Sequence, residues 1–277
     1  MPESAVRSPA TAGDYLRSWR QRRRMSQLDL ALDADISQRH LSFLESGRSA
    51  PSREMLIRLA ERLDVPLRER NAMLLAAGFA PLYAERSLED PAMDAARSAI
   101  DRVLKGHEPY PALVVDRHWN LVAHNDAVAP LLAGIDDAAL LQAPVNVLRL
   151  SLHPRGLAGR IANLAEWRAH LLDRLRRQVT ATRDQALADL LQELAAYPLH
   201  GKLAALHAEA MSDHGGVLVP LELITDNGLL SLISITSMFG TPRDVTLSEL
   251  ALEAFFPANA ETAHILRALA DDSKPAR

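Results

Sequence analysis

The chain has 277 residues, 48% hydrophobic and 24% charged, which is the balance of a folded globular protein and not of a disordered or fibrous one. It contains no cysteine, which excludes disulfide scaffolds, thiolate metal sites and cysteine nucleophiles. The net charge of −4 argues against indiscriminate coating of nucleic acid, yet residues 14–70 hold twelve Arg against nine Asp plus Glu, so that stretch is +3 and the remainder −7. No apolar run approaches the ~20 residues of a membrane span, and the first residues lack a basic stretch followed by an apolar core. A soluble, cytoplasmic protein with no membrane partner and no secretory signal is the expectation.

In chain order, residues 1–13 read as a flexible tail rich in Ser, Pro, Ala and Thr. Residues 14–80 read as five short helices. Ser26, Ser37 and Ser52 stand as N-caps before apolar-periodic stretches, Asp35 sits at a turn that needs a left-handed residue, and Gly47 follows the third helix as a C-cap. Residues 81–110 read as a linker with a connecting helix opened by Asp90-Pro91. Residues 111–270 change period to two: a hairpin turning over residues 117–120, a short helix capped at Asn125, and an ambiguous run over 145–152. Two helices follow over 159–182 and 183–197. A second hairpin turns at Asp226-Asn227-Gly228, residues 247–256 lean towards a strand, and a last helix covers 260–270. Residues 271–277 are a polar tail. The fold class is α+β, an all-α module followed by an antiparallel-sheet domain with flanking helices.

The first module carries the clearer chemistry. Ile36, Leu41 and Leu44 anchor the third helix, leaving Gln38, Arg39, His40 and Ser42 on its outward side, where side chains that donate and accept can meet base edges in a major groove. Gln27 begins the preceding helix; with Arg23, Ser37 and Arg48 it is placed to hold phosphate. Met25-Ser26-Gln27-Leu28-Asp29-Leu30-Ala31, then Ile36 through Arg48, with Pro51-Ser52 and Leu59-Ala60, resembles the helix-turn-helix of the XRE family. That resemblance implies sequence-specific binding of double-stranded DNA. One such module reads only a few base pairs, so a homodimer on a near-palindrome is expected.

In the second module, Ala112 to Asn125 lays out two strands around a tight polar turn, then a cap and an apolar helix. This resembles the opening of a PAS domain. With Pro66-Leu67-Arg68-Glu69-Arg70-Asn71, Asn146 to Pro154, Asn163-Leu164-Ala165-Glu166-Trp167 and Phe255-Phe256-Pro257, the chain resembles the MmyB-like XRE regulators, which join this helix-turn-helix to a PAS-like ligand-binding domain. The resemblance implies a fatty-acid-like apolar ligand and no required cofactor. Candidate ligand contacts are Asn125, Arg149, His153 and Trp167. Arg149 and His153, four apart, share a face and could hold a carboxylate. The competing reading pairs Arg149 with an acidic neighbour, packs His153 beside Pro154, places Trp119 and Trp167 in the core and makes Asn125 a helix cap first.

His200, His207 and His214 recur at seven-residue spacing, but Gly201 and Gly215-Gly216 break the helix a metal stripe needs, so solvated histidines are expected there and no metal. No motif of a metallopeptidase, nucleophile elbow, phosphate loop or dinucleotide fold is present, and no enzymatic activity is expected. The reading is a transcriptional regulator whose operator binding responds to a small apolar ligand. The alternative keeps the DNA-binding module and gives the second domain only dimerisation or protein docking.

Overall fold

A computed structural model describes residues 11–135, 137–198 and 218–272, and the chain divides into two compact units. The first unit takes the chain up to Ser87 and adds Thr241–Ser248; the second takes Leu88–Gly240 and resumes at Glu249.

Five helices build the first unit: α1 (Ala12–Arg22), α2 (Gln27–Asp33), α3 (Gln38–Glu45), α4 (Arg53–Arg62) and α5 (Leu67–Ala76). The hydroxyls of Ser26, Ser37 and Ser52 accept the backbone N–H of Asp29, His40 and Met55, satisfying donors that a helix start leaves without partners. Helix α1 begins at Ala12, inside the stretch read as a tail, because Thr11 and Asp14 cap each other reciprocally. At Gly13 it crosses α3 so closely that a Cβ would lie 2.5 Å from the Leu44 carbonyl oxygen, so glycine is there for space. Asp35 takes φ 55° at the α2–α3 turn and Gly47 takes φ 73° beyond α3, as the turn chemistry predicts. Leu16, Leu30, Leu41, Leu59 and Leu63 are fully buried between the helices, each contributing about 1.5–3 kcal/mol.

The chain after α5 stays with this unit. The Asn71 amide accepts from the N–H groups of Leu82 and Tyr83 and donates to the Tyr83 carbonyl. Thr241–Ser248 then completes the unit with a helical turn over Val245–Ser248. Val245 is fully buried and its N–H donates to Ala84 O at 2.8 Å, while Asp244 pairs with Arg86 at 3.0 Å.

The second unit is α+β. After helix α6 (Asp94–Gly106) come strands β1 (Ala112–Val115) and β2 (Leu121–His124), helices α7 (Ala129–Leu132), α8 (Val147–Leu152), α9 (Leu164–Thr182) and α10 (Gln185–Ala196), strands β3 (Leu221–Thr225), β4 (Gly228–Met238) and β5 (Ala251–Pro257), and helix α11 (Ala260–Asp272). The strands pair antiparallel in the order β2-β1-β5-β4-β3. Both expected hairpins are present. In the first, the Asp116 carboxylate accepts the N–H of His118 and Asn120, holding Trp119 at φ 68°. In the second, Thr225 pairs with Gly228 across Asp226-Asn227, and Gly228 takes φ 121°.

Three readings change. The ambiguous run over 145–152 is the helix α8. The strand read over 247–256 is a helical turn ending at Ser248 followed by β5, because Val245 is buried in the first unit instead of continuing the sheet. Asn125 makes no side-chain cap. Its Oδ1 accepts Ala112 N–H at 3.0 Å and its Nδ2 donates to Tyr110 O at 2.8 Å and Leu104 O at 3.2 Å, so it ties the end of α6 to the start of β1. His200, His207 and His214 lie outside the described residues.

Candidate DNA-reading helix and ligand cavity

In the first unit α3 presents Gln38 and Arg39 fully exposed and His40 and Ser42 half-buried, while Leu41 and Leu44 point into the core. The guanidinium of Arg39 lies over the Phe43 ring at 5.3 Å and that of Arg48 at 5.8 Å, so two cations flank one aromatic on the same helix and the turn after it. Among the described residues neither arginine forms an ion pair.

The back of α3 is locked by Glu45, whose side chain is fully buried. Its carboxylate accepts Arg20 Nε at 2.6 Å, Arg20 Nη2 at 2.9 Å and Gln27 Nε2 at 2.9 Å. Burial pushes this carboxyl up, but the hydrogen bonds from Arg20 and Gln27, with the charges of Arg20 and Arg17, outweigh it and hold the group below the usual carboxylate range.

Two residues expected to meet phosphate are thereby accounted for differently. The Gln27 amide is turned inward onto Glu45. Arg23 donates from Nε to Leu63 O and from Nη2 to Asp64 O, both at 2.8 Å, which satisfies carbonyls at the end of α4. Ser37 is the α3 cap.

In the second unit a cavity of about 110 Å³ lies between one face of the sheet and the helices α7, α8 and α9. The sheet contributes alternate residues, as the period of a strand requires: Leu113 from β1, Leu121 from β2, Leu221 and Leu223 from β3, Ser234 from β4, Glu253 and Phe255 from β5. Helix α9 contributes Trp167, Leu171 and Arg174, spaced to share one face, and α8 adds Leu148, Leu150 and Ser151. The polar side chains in this wall are few. Ser151 Oγ accepts the Trp167 indole N–H at 3.0 Å. Arg174 Nη2 meets Glu253 Oε1 at 2.5 Å, and its guanidinium lies 4.4 Å from the centre of the Trp119 ring. Trp119 is fixed in turn by its indole N–H, which donates to Gln178 Oε1 at 2.8 Å. His170 stacks on Trp167, and burial, helped by Arg174 and Arg177, lowers its pKa and favours the neutral ring.

Of the four candidate ligand contacts only Trp167 lines this cavity. Arg149 forms a two-pronged pair with Glu193, Nε–Oε1 and Nη2–Oε2 both at 2.8 Å, which is the acidic neighbour the competing reading supplied. His153 packs edge-on against Tyr197, and its Nδ1 accepts the Arg155 N–H at 3.1 Å. Asn125 uses its amide on backbone groups, as described. Arg174, Glu253, Ser234 and Phe255 were not among the candidate ligand contacts; the signal was a lone Glu in mid-strand, two residues before a Phe.

Among the described residues no helix is long and apolar enough to cross a membrane, and no group of three or more His, Asp or Glu stands ready for a metal. Residues 96–269 match the family model described as the MmyB-like transcription regulator ligand binding domain, and residues 16–70 match the helix-turn-helix model. Among curated proteins none matches the chain.

Proposed function

The chain belongs to the MmyB-like transcription regulators, and from that premise we propose that it binds one operator as a homodimer, with an apolar, fatty-acid-like chain in the second unit setting its affinity. The chain is a DNA-binding transcription regulator with a ligand-binding domain. In this reading Gln38, Arg39, His40 and Ser42 contact bases, Ser37 and Arg48 hold phosphate, and the PAS-like sheet domain is the sensor in a cytoplasmic protein. No cofactor and no catalytic step are invoked.

The observation that carries the ligand part is the cavity itself, aliphatic and aromatic around nearly all of its wall with a few polar groups, the composition that binds small apolar molecules. The ligand acts by population shift. It must bind one arrangement of the paired DNA-reading units better than another, since equal affinity for both changes nothing.

The test is mass spectrometry of the purified protein under native and then denaturing conditions. A dimer that releases an acyl-chain mass supports the reading. A dimer with nothing bound, whose stability and operator affinity ignore added lipids, supports instead a domain for dimerisation or protein docking. The exposed apolar side chains of Ile235 and Met238 on β4 favour that second reading. A strict monomer overturns the paired-operator model.

A further inference from the structure

The polar end of the cavity is already neutral. Glu253 is buried, with 4% of its surface exposed, and Arg174 approaches both of its oxygens, Oε1 at 2.5 Å and Oε2 at 3.3 Å. Thr236, its cross-strand partner on β4, closes the triangle: its hydroxyl donates to Glu253 Oε1 at 3.0 Å and accepts Arg174 Nη2 at 2.8 Å. The guanidinium lies against the Trp119 ring, and a quarter of the Arg174 side chain is exposed to water. Positive and negative charge are therefore matched within the protein before any ligand arrives.

Each kind of ligand head meets this end differently. A carboxylate would have to pull Arg174 away from Glu253, leaving a second carboxylate buried and unpaired beside it, and an uncompensated buried charge is among the costliest arrangements a protein can hold. An ammonium could donate to Glu253 Oε2, but it would share that one carboxylate with Arg174 and bring a second, uncompensated positive charge into the wall. An uncharged head that carries a donor does neither. A hydroxyl or amide N–H can add a hydrogen bond to Glu253 Oε2, which among the described residues receives only the longer contact from Arg174. Ser234, two residues before Thr236 on the same face of β4, stands on the same wall.

We infer that the cavity selects an uncharged alkyl molecule with an alcohol or amide head over a free carboxylate of the same length, and that Glu253 is the residue that enforces the choice. This rests on the reading of the cavity as a ligand site.

The test uses the full-length protein stripped of lipid, titrated at neutral pH below the micelle threshold with decanol, decanoate and decylamine, then with the longer members of each series, binding being followed by calorimetry and thermal shift. Decanol is expected to bind at least about tenfold tighter than decanoate or decylamine, a gap of about 1.4 kcal/mol. Glu253→Gln keeps the side chain's shape, removes its charge and leaves Arg174 uncompensated; decanoate is then expected to overtake decanol. Wild-type protein that binds decanoate as well as or better than decanol overturns the inference without any variant having to fold. A folded Glu253→Gln protein whose order of preference is unchanged also overturns it. Wild-type protein that binds no member of any series overturns the ligand reading beneath it.

Discussion

A carboxylate is buried against arginine in each unit, Glu45 in the first and Glu253 in the second, and these are used in opposite ways. Glu45 sits among helices with no space around it; Arg20, Gln27 and the nearby Arg17 take up its charge, and the result is that α1, α2 and α3 hold one geometry. Glu253 makes a similar bond to Arg174, but the pair stands in the wall of a cavity. The difference teaches that a buried ion pair marks function only when something else can reach it. The first is part of a scaffold that aims α3 outward, and the second sets the electrostatic character of a space left open.

Removing Glu45 should produce the largest effect. Glu45→Ala leaves Arg20 buried without its partner and is expected to cost about 3–5 kcal/mol in chemical denaturation, enough to threaten the unit outright. The pH dependence has a definite sign. Because the folded pKa is depressed, Glu45 contributes stability above the unfolded carboxylate value of about 4.3, and that contribution fades as pH falls through the lower folded value. Wild type and Glu45→Gln should therefore converge in stability in strong acid; a gap that stays constant down to acid unfolding would show that the carboxylate's charge is not what holds the helices.

On the outward side of the same helix, Arg39→Ala should leave the melting temperature unchanged and cost about 1–3 kcal/mol of discrimination between operator and random DNA. Operator affinity with an unaltered salt slope would remove Arg39 from the interface. Glu253→Gln should destabilise the protein less than Glu45→Gln, by about 1–3 kcal/mol, since Arg174 is a quarter exposed to water and keeps Thr236 and the Trp119 ring. If the two losses are equal, the contrast between scaffold and wall is lost. The smallest effect belongs to Arg149→Ala. Its pair with Glu193 is half-exposed and solvent-screened, so a loss under about 1 kcal/mol is expected, with no change in lipid binding.

What was legible in the sequence was local. Ser26, Ser37 and Ser52 announce helix starts because the capping bond spans three residues, and Asp35 and Gly47 announce left-handed turns because few residues adopt them. The two hairpins were readable for the same reason. What stayed hidden depends on partners far along the chain. Gln27 and Arg23 read as phosphate contacts, and nothing local tells that the Gln27 amide meets Glu45, 18 residues on, or that Arg23 reaches a carbonyl 40 residues away. The Arg174–Glu253 bond joins residues 79 apart, so neither side chain announces the other locally. Asn125 shows a third kind of gap. The residue was correctly singled out, but a polar side chain before a helix has two possible uses, and the sequence supplied only the nearer one.

The strap Thr241–Ser248 has a consequence for how the protein is made. A ribosome works from the N-terminus, and domains generally close as they emerge. The DNA-reading unit comes out first, yet when Ser87 has been synthesised the unit still lacks the buried Val245, whose N–H binds Ala84, and Asp244 beside Arg86. It is finished only after β4, a strand of the sensor sheet, has been translated. In order of synthesis, the half that reads DNA waits for the half that reads the ligand.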